Sequence, residues 1–179
     1  SIAQFVRFAS AQTVSVNVSI AADGSVFPPW APVKRFGDLY ILTGDTGQIG
    51  VWKSNIELDG NGYTIQGAAP NSGPSNIGGI SLKEVQNVTV RGFNIKDCGL
   101  GISLDNCSNI TISGNNVSGI WHPITQGNMN AAAIFIWHST YNVITGNSLE
   151  NNEEGIVVGE YCADNVFVEN TISSSTKNG

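Results

Sequence analysis

Charge is scarce in this chain: only 12% of its 179 residues are Asp, Glu, Lys or Arg, and Lys plus Arg number 8 against 14 acidic residues. With a net charge of −6 there is no basic stripe for a phosphate backbone, which excludes nucleic acid as an expected partner. Apolar runs of the ~18 residues needed to cross a membrane are missing as well. Histidines are limited to His122 and His138, and cysteines to Cys98, Cys107 and Cys162 with no Cys-x-x-Cys spacing. An odd count cannot pair completely within the chain, so cysteine does not decide the redox compartment.

What the chain has instead is Gly, Asn, Ser and Thr, arranged in a repeat. Ile80-Ser81-Leu82, Ile102-Ser103-Leu104, Ile134-Phe135-Ile136 and Ile156-Val157-Val158 are copies of one apolar-x-apolar strand, offset by 22, 32 and 22 residues. A polar corner follows each, then a second strand: Val88-Thr89-Val90, Ile110-Thr111-Ile112, Val143-Ile144-Thr145 and Val166-Phe167-Val168. A third apolar position comes at Ile95, Val117, Leu149 and Ile172. Three short strands per repeat that return to one face stack as a parallel solenoid with a spacing of about 4.8 Å. Ile56-Glu57-Leu58 reads as an earlier copy that begins the series. The expectation is an all-β fold, a single-stranded parallel β-helix of about five coils of ~22 residues. Insertions are expected near residues 67–79 and 119–130.

Residues 1–50 differ from the coils of 51–179. Ile2, Phe5, Val6 and Ala9 suit one face of a short helix, Val14 to Ile20 alternate as a strand, and Pro28, Pro29 and Pro32 break regular structure around Trp30. This region is expected to cap one end of the solenoid. The other end shows no such cap before Gly179, so either more sequence follows or another molecule covers it. The chain starts at Ser1, which fits either a removed signal peptide or a fragment.

Corner residues carry their own logic. Asn61, Asn115, Asn147 and Asn170 fall in equivalent places, with Phe93 as the exception, and stacked Asn side chains can bond along the axis. Acceptor sequences for glycosylation occur at Asn17, Asn87, Asn106, Asn109 and Asn116. They suit an exported glycoprotein, although a chain this rich in Asn, Ser and Thr also produces several by chance.

The stretches Ala22-Asp23-Gly24-Ser25-Val26, Asp59-Gly60-Asn61-Gly62-Tyr63-Thr64-Ile65-Gln66-Gly67 and the coil Gly101 to Asn116 resemble the NosD-type, carbohydrate-binding and sugar-hydrolase-type (pectin-lyase-like) β-helix repeats of exported proteins, frequent in archaea. The resemblance implies a right-handed winding and an extracellular or cell-surface location. It is specific for fold and poor for activity, because one scaffold hosts many functions.

Sugar-cleaving chemistry needs clustered carboxylates. On the first-strand face the outward positions are Ser81, Lys83, Ser103, Asp105, Phe135, Trp137, Val157 and Gly159, with one carboxylate among them. Asp59 beside Arg91 on the second face reads as a surface ion pair. His122 and His138 do not enforce a metal site by spacing, so no metal or cofactor is expected.

The sharpest departure from the repeat is aromatic. Phe135 and Trp137 replace Ser103 and Asp105 at outward positions, next to the insertion with Trp121-His122-Pro123. Trp121, His122, Phe135, Trp137, His138, Asp105 and Glu160 are therefore the candidate binding surface, unless the insertion folds over the aromatics. The first functional reading is a non-catalytic surface protein that self-associates, or meets a neighbouring surface protein, through the open solenoid end and N-terminal arm, as a filament or surface-layer subunit. The alternatives are a polysaccharide-binding module and a polysaccharide lyase or hydrolase.

Overall fold

A computed structural model describes residues 16–67, 78–121 and 131–176. The expected helix at residues 2–9, His122, and most of both insertions lie outside them. No helix occurs among the described residues; every element is a strand.

The N-terminal part begins with β1 (Val18–Ile20), β2 (Val26–Phe27), β3 (Val33–Phe36) and β4 (Leu39–Leu42). β2 runs antiparallel on β1 and β3 antiparallel on β4, so both outermost strands at this end are hairpin partners. Arg35 Nη1 and the Tyr40 hydroxyl each donate to the Gly24 carbonyl at 2.9 Å, which ties the two hairpins together.

From there the chain visits three sheets in a fixed order. The triplets are β5 (Ile49–Val51), β6 (Ile56–Asp59) and β7 (Thr64–Gln66); β8 (Gly78–Lys83), β9 (Val88–Arg91) and β10 (Asn94–Lys96); β11 (Leu100–Asp105), β12 (Thr111–Ser113) and β13 (Asn116–Ser118). β14 (Ala132–Trp137), β15 (Val143–Thr145) and β16 (Ser148–Glu150) follow, then β17 (Glu154–Val158), β18 (Val166–Val168) and β19 (Thr171–Ser173). The sheets have the orders β17-β14-β11-β8-β5-β1-β2, β18-β15-β12-β9-β6-β4-β3 and β19-β16-β13-β10-β7. All pairings between triplets are parallel. This is a parallel β-helix.

Inward side chains stack as columns. Ile80, Ile102 and Ile134 form one, Leu82, Leu104 and Ile136 a second, Val90, Ile112 and Ile144 a third, and Ile65, Ile95, Val117 and Leu149 a fourth, none more than 1% exposed. Each buried aliphatic side chain of this kind contributes about 1.5–3 kcal/mol relative to exposure. The backbone between strands turns through left-handed residues at a repeating set of four positions. Glu84, Asn87, Gly92 and Asp97 recur as Asn106, Asn109, Gly114 and Gly119, then His138, Tyr141, Gly146 and Asn151, then Tyr161, Asp164, Glu169 and Ser174.

Three expectations need correction. Ile56-Glu57-Leu58 is not a first strand: Ile56 pairs with Val88 and Leu58 with Val90, which places β6 in the second sheet. The first strand of that turn is β5, where Gly50 at the outward position hid the apolar-x-apolar pattern. Parallel pairing even precedes it, because β1 pairs with β5 and β4 with β6.

The second-strand copies also slip by one residue. Ile112 pairs with Ile144 and Ile144 with Phe167, so Asn142 and Asn165 occupy the slot held by Val88 and Ile110 in earlier turns. The Ile110 N–H donates to Asn142 Oδ1 at 2.8 Å, and Asn142 Nδ2 donates to Asn165 Oδ1 at 2.8 Å. Asparagine satisfies a buried corner with the same inward geometry as isoleucine, which the apolar pattern alone does not show.

The third concerns Asn61. Asn115 donates to Asn147 Oδ1 at 3.0 Å and Asn147 to Asn170 Oδ1 at 2.9 Å, while each amide also reaches a carbonyl of the preceding turn, at Val90, Ile112 and Ile144. Asn61 does not join them. It lies exposed at φ 49 in a wider turn, and Tyr63 takes the slot that Phe93 holds one turn later. Removing a ladder amide leaves buried donors and acceptors unpaired, so Asn147→Ala is expected to lower stability by about 1–3 kcal/mol. Asn61→Gly, which keeps the left-handed turn, is expected to change it by less than about 0.5 kcal/mol. Urea unfolding of the two variants checks this, and equal losses would contradict the ladder.

Candidate functional site

The outer face of the β5-β8-β11-β14-β17 sheet carries the departures from the repeat. Register aligns Gly50, Ser81, Ser103, Phe135 and Val157 in one outward row. Asp105 pairs with Lys83 on one side and Trp137 on the other, forming a second row. Ile134 and Ile136 are fully buried, whereas Phe135 and Trp137 between and after them are half-buried. Inward and outward assignments thus follow the pleat.

Four rings run in succession on this face. Phe135 and Trp137 lie 6.2 Å apart with planes within 9°, Trp137 and His138 are 4.8 Å apart, and His138 and Tyr161 are 5.2 Å apart. His138 and Tyr161 occupy the same left-handed corner in successive turns. Tyr161 was missing from the sequence candidates because the repeat there is 23 residues rather than 22, as 161 − 138 shows. One extra residue after Val158 pushes Glu160 out of the slot, and its carbonyl accepts the His138 N–H at 3.0 Å. Trp121 stands elsewhere, on the corner after β13, where its N–H donates to the Cys98 carbonyl at 3.2 Å.

Gly159 explains the posture of Trp137. A Cβ on Gly159 would overlap the six-membered ring of the indole, so the ring lies across the backbone where a side chain would otherwise stand. The same arrangement occurs at Gly50 under Trp52, a half-exposed indole that the sequence reading did not single out. The signal for it was the Gly50-x-Trp52 spacing, legible only once β5 is known to be a first strand.

Asp105, Glu57 and Asp59 on the outer faces are held by cations. Asp105 meets Lys83 at 3.9 Å, and Arg91 reaches Glu57 at 2.6 Å and Asp59 at 2.7 Å. The hydrogen bond that Arg91 Nε donates to Glu57 Oε1 raises the Arg91 pKa above its ordinary value. The Asp59–Arg91 pair is the ion pair expected from the spacing, with Glu57 as a third member. A carboxylate engaged in this way is poorly placed to protonate a leaving oxygen.

The five glycosylation candidates Asn17, Asn87, Asn106, Asn109 and Asn116 are all exposed. Asn87, Asn106 and Asn109 stand on left-handed corners.

The thiols fall into two groups. Burial pushes the Cys98 pKa up to about 12 and raises that of Cys107. Cys162 is half-buried, its Sγ 3.5 Å from the Glu160 carbonyl oxygen. A raised thiol pKa keeps the group protonated and unreactive at pH 8. Thiol labelling of the native protein at pH 8 is therefore expected to modify Cys162 alone, with Cys98 and Cys107 becoming reactive only after unfolding. Fast native labelling of Cys98 would contradict the buried column.

A family model described as periplasmic copper-binding protein (NosD) matches residues 47–179. No curated protein and no solved structure matches the chain. Copper requires convergent soft or imidazole donors. Among the described residues no three His, Cys, Asp or Glu side chains come together to hold a metal ion. His138 packs its ring between Trp137 and Tyr161, the thiols of Cys98 and Cys107 are buried and held protonated, and His122 lies outside the described residues. The described donors therefore do not fit a copper centre. The match instead spans the stack from β5 onward and agrees with an exported location, and on that extent of matching the chain belongs to the NosD family.

Proposed function

We propose that this protein is a non-catalytic, exported structural component whose right-handed solenoid of five coils associates with another copy through the face of its last strands. The observation that carries this reading is the apolar surface there. Phe167 is 40% exposed although its partner Ile144 is fully buried, and Val158, Val166 and Val168 are 48%, 47% and 45% exposed. An apolar strand edge of this kind, without a further pairing strand among the described residues, favours addition of another β layer.

The hydrogen-bonding pattern supports it too. In the earlier turns a backbone N–H at the slot donates to an Asn Oδ1 one turn later, as Phe93 does to Asn115 and Asn147 to Asn170. An incoming strand that offers acceptors to Asn165 and Asn170 continues that pattern. At the opposite end β2 and β3 run antiparallel to β1 and β4, and the described part of residues 1–50 acts as the cap of the stack. Association is then directional.

Placing a charge on this face removes the driving force without touching the core. Phe167→Asp is expected to convert a self-associating protein into a monomer in sedimentation experiments, with an unchanged circular dichroism spectrum. A wild-type chain that stays monomeric across concentrations, or association unaffected by Phe167→Asp, would overturn the proposal.

A further inference from the structure

We infer that the outer face of the β5-β8-β11-β14-β17 sheet is a binding trough for a neutral, linear polysaccharide, with Trp52 and Trp137 as its two end platforms. This site is separate from the end face above. It begins with the row of residues that register sets along the axis. Trp52 follows Val51, the partner of Leu82, and thus opens the row continued by Lys83, Asp105 and Trp137. Three interstrand steps separate the backbones of the two tryptophans, roughly 14 Å.

Both indoles lie across a glycine. Gly50 and Gly159 each leave the space that a Cβ would fill, and in each case the six-membered ring of a tryptophan takes it. Each indole thus lies against the backbone of the sheet, Trp52 half exposed and Trp137 partly exposed. Phe135 extends one platform, its plane within 9° of Trp137. The apolar C–H face of a sugar ring packs on such a surface, while its hydroxyls need polar partners at the sides.

The strip between the platforms supplies those partners. Ser81 and Ser103 form its floor, and Lys83 and Asp105 meet in the row beside it at 3.9 Å, each about half exposed. Protein interfaces favour a continuous apolar core, whereas here two aromatic platforms are interrupted by a hydroxyl floor and one ion pair. A chain of sugar rings matches that alternation. The ion pair is neutral overall and the chain carries −6, so a neutral glycan is favoured over a polyuronic acid.

Affinity electrophoresis in gels with hydroxyethylcellulose, glucomannan or polygalacturonate tests the inference. At least one neutral polymer is expected to retard the wild-type protein, and Trp52→Ala and Trp137→Ala are each expected to weaken that binding by about tenfold or more. Phe36→Ala, an exposed ring outside this sheet, is expected to leave it unchanged. As a readout independent of variants, saturating polymer is expected to protect wild-type indole fluorescence from acrylamide quenching. The inference is overturned by no retardation with either neutral polymer, by retardation with polygalacturonate alone, by binding that survives both tryptophan substitutions, or by unprotected fluorescence at saturation.

Discussion

Hydrogen bonds that run along the axis, from each turn to the next, constrain this molecule more than any other interaction. In a parallel stack each inner strand must satisfy its backbone on both sides, so a turn is obliged to return in register with the one before. That requirement fixes which residues point inward and where the chain bends. It explains why positive φ recurs at the same four positions in successive turns, and why glutamate, histidine and tyrosine accept a left-handed conformation at some of them. The local cost of such a residue, about 1–2 kcal/mol, is offset by the ladders on either side.

The corners show how one constraint admits two chemistries. A slot facing the core can be filled by a hydrophobe or by an asparagine whose amide bonds to the turns above and below. The chain uses Val88 and Ile110 before Asn142 and Asn165, Phe93 before Asn115 and Asn147, and Ile120 before Asn152. Polar slots thus gather toward the C-terminal half. An asparagine ladder replaces dispersion with directional bonds, and a misregistered turn would leave those groups unsatisfied in a buried corner.

This also determines what could be read without coordinates. Ile80, Ile102, Ile134 and Ile156 align as the 22- and 32-residue offsets imply, because an inward aliphatic column leaves a direct trace in sequence. Glycine and asparagine leave none. Gly50 concealed β5, Asn142 shifted the second-strand alignment by one residue, and the extra residue before Tyr161 put Glu160 forward in its place. Trp52 was overlooked for the first of these reasons. Phe135, Trp137 and His138 were found because they break a pattern on a strand whose alternation was already clear, and the structure joins them in one run of rings with Tyr161.

Inward and corner positions answer to the winding of the chain, whereas outward positions are free of it. Two proteins that wind alike must resemble one another in the first set whatever they bind, so membership of the NosD family carries the scaffold further than it carries a ligand. In this chain the outward set holds two tryptophans laid over glycines, an ion pair between them and a floor of serines. None of these side chains is required to close the coil. Small or charged residues serve at these outward positions in other turns, Ser81 and Ser103 in the row of Phe135 and Lys83 and Asp105 in the row of Trp137. The winding does not demand the large rings at Trp52, Phe135 and Trp137, and it is their position over glycines, beside a strip of serines, that supports the inference of a sugar-binding surface.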